Sequence, residues 1–154
     1  MIKGSTVIKM AGILMGVFGV LNVLWAMGYG FLGAHSLMGT TQTTLPGLMM
    51  FYGFYGVLCG IFQIAVASVC IRHAKIRAHW HYSVVWGIIT LVLGVINLLA
   101  LIAMCEMMTK GNPLYPQWYG FAIVGGGIIM PILATLGGYM NGPASTVPEG
   151  RETP

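Results

Sequence analysis

The sequence predicts an all-α protein, a four-helix transmembrane bundle built from two helical hairpins repeated in parallel. Three observations predict it. First, charged residues make up only 6% of the chain and hydrophobic residues 57%, with a mean hydropathy of +0.85. A water-soluble domain carries roughly 25% charge to cover its surface, so lipid is the expected solvent. Second, four apolar runs lie at about 7–31, 48–71, 82–107 and 118–140. Each exceeds the roughly 20 residues a helix needs to cross about 30 Å of hydrocarbon. They are continuous rather than alternating, which favours helices over a barrel. Third, the chain echoes itself. Residues 12–24 match residues 87–99 at 7 of 13 positions, and Tyr52-Gly53-Phe54 recurs as Tyr119-Gly120-Phe121.

The first run carries Gly12, Gly16, Gly19 and Asn22. It is too long for the apolar core of a signal peptide, about 7–15 residues, and it repeats the third run. It is therefore read as a retained span. The second run carries Gly53, Gly56, Gly60 and Gln63. Both glycine sets follow small-xxx-small spacing, through which helices in lipid pack. They serve contacts within one bundle, self-association, or docking to a larger partner. The third run carries Thr90 and Asn97. In the fourth, Gly125, Gly126 and Gly127 loosen the helix before Pro131, whose ring removes a helix hydrogen bond. The linkers 33–47, 72–81 and 109–117 are polar. Residues 1–142 form the membrane domain, and 143–154, with Pro143, Pro148, Gly150 and Pro154, read as a flexible solvated tail.

Basic residues give the orientation. Lys3, Lys9, Arg72, Lys75, Arg77 and Arg151 fall on one side of a four-crossing topology and only Lys110 on the other. The positive-inside rule then places both termini in the cytoplasm. The two hairpins start on the same side, so a pseudo-twofold axis along the membrane normal would relate helices 1 and 3, and helices 2 and 4. The charges are too sparse for a nucleic-acid footprint. Arg72, Lys75 and Arg77 are the candidate contacts to lipid headgroups. Trp80, Tyr82, Tyr52, Trp118 and Tyr119 read as interfacial anchors.

Polar residues inside a span need partners. Asn22 and Asn97, matched by the repeat, form the first candidate polar locus, with Gln63 and Thr90 beside them. Their role is a hydrogen-bond lock or a site for a small ligand or ion. The chain has no Asp, and its three acids are Glu106, Glu149 and Glu152. Paired carboxylates for acid–base catalysis are therefore absent, and Glu106 reads as a solvated helix-end charge. The run Met104-Cys105-Glu106-Met107-Met108, with Met27, Met38, Met49, Met50 and His35 on the same side, could offer soft ligands. The expected role of these methionines is to fill irregular apolar packing. A metal site at His73, His79 and His81 is not expected, because His79 and His81 would not share a helix face. Cys59, Cys70 and Cys105 lie at different depths, which argues against a disulfide. Neither a haem, a zinc site nor a nucleotide loop is expected, and no cofactor is predicted.

Ala11-Gly12-Ile13-Leu14-Met15, Val85-Trp86-Gly87-Ile88-Ile89, Met130-Pro131-Ile132-Leu133 and Gly137-Gly138-Tyr139-Met140-Asn141 resemble segments of small four-helix integral membrane proteins of anaerobic Gram-positive bacteria. That resemblance implies a bacterial plasma-membrane protein of a family with no assigned activity, and it carries no catalytic residues. The Thr-rich loop Gly39-Thr40-Thr41-Gln42-Thr43-Thr44 departs from it.

The functional expectation is a non-enzymatic membrane scaffold or accessory subunit. It would self-associate or dock to a larger membrane complex through its glycine-rich faces. The alternative is a small channel or transporter with a polar path at Asn22, Asn97 and Gln63. A membrane enzyme working with Cys70 and the 72–81 cluster is the third possibility.

Overall fold

A computed structural model describes residues 4–38, 44–76, 79–108, 112 and 114–142. Four helices are each long and apolar enough to span a membrane. They are α1 (Gly4–Leu37), α2 (Thr44–His73), α3 (Trp80–Met107) and α4 (Trp118–Asn141). Lys3, Arg77, Lys110, the core of the Thr-rich loop and the expected tail 143–154 lie outside the described residues.

The helices run longer than the apolar runs suggest. α1 passes Phe31 because Ala26–Leu32 form a wider π-helical turn, followed by a last α-helical turn, Gly33–Leu37. The expected 33–47 linker is shorter by that turn and by residues 44–47, where α2 begins. In it Gly33 and Ala34 are buried, and Ser36 Oγ donates to the Gly33 carbonyl at 2.7 Å. The expected 72–81 loop is likewise trimmed at both ends. Arg72 and His73 complete the last turn of α2, where positive charge suits the helix dipole.

Each helix lies against two neighbours, α1 on α2 and α4, α3 on α2 and α4. The helices thus form a four-sided bundle in which α1 faces α3, and α2 faces α4, across the diagonals. Small residues let the backbones close in, as expected where lipid removes the hydrophobic drive for helix association. A Cβ on Gly60 would stand 2.7 Å from the Gly19 carbonyl oxygen, and one on Gly19 would stand 2.9 Å from that of Gly60. About two turns away along α2, a Cβ on Gly53 would stand 3.1 Å from Gly30 Cα. On the α4 side, Gly120 lies against the Trp25 indole and Gly126 against the Phe18 ring.

Two apolar clusters fill the interior. Ile8, Ala11, Met15, Val66, Cys70 and Ala134 pack towards the end that carries Gly4 and Asn141. Tyr29, Met49, Tyr52, Leu101, Met104 and Val124 pack towards the opposite end. The outer surface is apolar too: Val17, Leu24, Phe51, Phe54, Val92, Leu99 and Leu136 are all at least half exposed. A surface of that kind belongs in lipid.

Candidate functional site

Between the two apolar clusters lies a layer of buried polar side chains. Asn22, Gln63 and Asn97 are each 1% exposed and Thr90 is fully buried. Asn22 on α1 meets Asn97 on α3 across one diagonal, with Asn97 Nδ2 donating to Asn22 Oδ1 at 3.2 Å. Beside this pair Gly56 makes room for Ala26: a Cβ there would stand 2.7 Å from the Ala26 methyl, and in ordinary contact with Asn97 Oδ1 at 3.7 Å. The two matched amides are thus brought together as the sequence suggested.

Gln63 crosses the other diagonal, from α2 to α4. Its Nε2 donates to the Gly127 carbonyl oxygen at 3.1 Å. That carbonyl belongs four residues before Pro131. In a regular helix it would accept from the N–H at position 131, but proline has none. Gln63 therefore supplies the donor that Pro131 withholds, and α4 stays helical across the gap. The fit requires glycine at 127, since a Cβ would stand 2.7 Å from Gln63 Nε2. Sequence reasoning marked Gln63 as a polar group and missed its partner, which is a backbone atom. The available signal was the four-residue interval from Gly127 to Pro131.

Thr90, although also buried, joins neither of these bonds. Its hydroxyl donates within α3, to the Trp86 carbonyl at 2.7 Å, a common outlet for a mid-helix threonine. Thr135 does the same with the Pro131 carbonyl at 2.9 Å.

Of the six glycines singled out, Gly12, Gly19, Gly53, Gly56 and Gly60 are buried. Gly16 is half-buried, and a Cβ on it would meet only the Ala67 methyl at 3.6 Å. Gly12, Gly16, Ala67 and Ser68 line an open groove of about 460 Å³ between α1 and α2, with Ile13 and Val17 beside them.

The aromatic residues divide. Trp118 and Tyr119 are exposed, as interfacial anchors are. Tyr52 is not an anchor: it is 1% exposed, and its hydroxyl accepts from Trp25 Nε1 at 3.1 Å. Tyr29 stacks on Trp25 with centroids 4.8 Å apart and sits edge-on to Tyr52. A buried hydroxyl with an indole partner loses nothing by leaving the interface. The methionines divide in the same way. Met49, Met104 and Met108 are buried core, and Met108 Sδ accepts from the Tyr29 hydroxyl at 3.7 Å. Met27, Met38, Met50 and Met107 point outward. Glu106 is exposed at the end of α3.

At the α2–α3 turn, Arg72 and Lys75 are exposed, and Arg77 lies outside the described residues. His73 and His79 face each other with Nδ1 atoms 2.8 Å apart. The Tyr82 ring stacks on His73 and stands edge-on to His79. Among the described residues, no three His, Cys, Asp or Glu side chains are grouped to hold a metal ion. The three cysteines are free. Comparison with family models, curated proteins and solved structures gives no match, so any functional reading rests on this geometry.

Proposed function

We propose that the protein is a non-enzymatic membrane scaffold or accessory subunit that self-associates or docks to a larger membrane complex. The observation that carries this reading is the groove between α1 and α2. Small residues, Gly12, Gly16, Ala67 and Ser68, line it among the larger Ile13, Val17, Val20, Ile64 and Ile71, and small residues let another transmembrane helix approach closely. The docking face is narrower than the glycine pattern alone suggests, because Gly19, Gly53, Gly56 and Gly60 are occupied by packing inside the chain. The membrane-embedded amides support the same reading, since the Gln63 and Asn97 side chains each donate a helix-to-helix bond. On this reading both termini face the cytoplasm of a bacterial cell, following the basic residues, and Arg72, Lys75 and Arg77 meet lipid headgroups. The two hairpins are parallel copies, which fits the diagonal placement of Asn22 and Asn97.

The test fills the groove. Gly16→Leu places a side chain into open space and is expected to abolish association while the bundle remains folded. Chemical cross-linking in the host membrane reads association, and thermal unfolding reads the fold. Association that survives Gly16→Leu in a folded protein would sink the proposal. One observation favours a channel or transporter instead: two amide oxygens in the central layer are unpartnered. Solute flux into liposomes that is lost in the Asn22→Leu/Asn97→Leu double variant would support that alternative.

A further inference from the structure

The π-helical stretch Ala26–Leu32 puts two glycines to different uses. Gly30 lies against the Gly53 backbone of α2, whereas a Cβ on Gly28 would meet no atom within 4 Å. Gly28 instead lines a pocket of about 410 Å³. Small-molecule sites commonly measure about 300–1,000 Å³, and π-helical turns recur at functional sites. α1 contributes Tyr29 and Ser36 to the same lining, and the chain around the start of α4 contributes Tyr115, Gln117 and Tyr119.

The lining defines the class of ligand. Trp25, Tyr29, Tyr115 and Tyr119 bring four aromatic rings, which suit another flat ring. Two polar side chains join them. The Ser36 hydroxyl donates to the Gly33 carbonyl at 2.7 Å, which leaves its oxygen to accept. The exposed Gln117 amide carries both a donor and an acceptor. Among the described residues of the lining there is no Lys, Arg, His, Asp or Glu. A charged ligand beside lipid would therefore lack a counter-charge. A cation held on ring faces is disfavoured further, because the rings partly cover one another. Trp25 and Tyr29 stack with centroids 4.8 Å apart and planes at 7°. Trp25 and Tyr119 meet edge to face at 5.4 Å and 89°.

We propose that this pocket binds a small uncharged molecule with a flat aromatic ring and a hydrogen-bonding group at its edge. The site is separate from the groove between α1 and α2, and its failure would leave the association reading untouched.

The test titrates the ¹⁵N-labelled full chain, in lipid nanodiscs, with 2-naphthol, its anionic analogue 2-naphthoate and its cationic analogue 2-naphthyltrimethylammonium. 2-Naphthol should give saturable shifts of the Gly28 amide and the Gln117 side-chain NH₂. The charged analogues should bind about tenfold or more weakly. Gly28→Leu fills the pocket at a position with room for a side chain and should abolish the Gln117 shift. Gly125→Leu is the control: a Cβ there also meets nothing within 4 Å, and it lies outside the lining. The Trp25 Nε1–H resonance, set by its bond to the Tyr52 hydroxyl, reports whether each variant keeps the local fold, and the wild-type titration stands without the variants. The proposal is overturned if 2-naphthol gives the wild type no saturable shift, which is the outcome if a lipid chain holds the pocket. It is overturned equally by a charged analogue that binds as tightly as 2-naphthol, or by 2-naphthol binding that survives in folded Gly28→Leu.

Discussion

Gln63 and Pro131 should behave as one unit, because the glutamine closes the gap that the proline opens. Gln63→Leu leaves the Gly127 carbonyl without a donor, since Gln63 is its partner and Pro131 has no N–H. Hydrogen bonds between transmembrane helices average about 0.6 kcal/mol and reach about 1.7. An orphaned buried acceptor costs about 1–3 kcal/mol. The removal of Gln63 Oε1, itself unpartnered, returns part of this, so a net loss of about 1–2 kcal/mol is expected. Pro131→Ala restores an N–H to position 131, and the Gly127 carbonyl then finds a partner within α4. In that background Gln63→Leu should cost about 1 kcal/mol less than in the wild type. Reversible unfolding in mixed micelles, followed by tryptophan fluorescence, measures all four proteins of the cycle. Additivity within about 0.3 kcal/mol would refute the reasoning, because Gln63 would then be serving something other than the proline gap.

The two faces of the glycine pattern should separate under the same assay. Gly60→Ala drives a methyl towards the Gly19 carbonyl oxygen at 2.7 Å and should destabilise by about 1–3 kcal/mol. Gly16→Ala meets only the Ala67 methyl at 3.6 Å and should be neutral or gain up to about 1 kcal/mol from helix propensity. Equal effects would mean that these distances do not govern packing. At the α2–α3 turn, the 2.8 Å contact between His73 and His79 Nδ1 atoms should give an NOE between the two rings, and its absence from the folded protein would contradict this geometry.

The spans were legible because a run of twenty apolar residues has few alternatives to a membrane helix. The Asn22–Asn97 pair was legible for a related reason: an amide in such a run must find a partner, and the echo between residues 12–24 and 87–99 paired the two. Gln63 was legible only as a polar group, since its partner is a backbone carbonyl that side-chain patterns do not display. The π-helical stretch Ala26–Leu32 has no sequence mark of its own. It accompanies the close approach of Gly30 to Gly53, a tertiary contact. Tyr52 was misplaced because a tyrosine near a span end looks the same whether its hydroxyl meets headgroups or the Trp25 indole. Gly12, Gly16 and Gly19 share small-residue spacing, yet Gly16 alone is left half-exposed. Spacing identifies a helix face, and the neighbour on that face is set by the rest of the bundle.

The proposal that this bundle works by association is tested most directly by the mass of the particle it forms when extracted with its own lipids. Wild type should emerge in a complex larger than one chain, and Gly16→Leu should emerge as a single folded chain. A wild-type particle holding one chain and lipid alone would contradict the account.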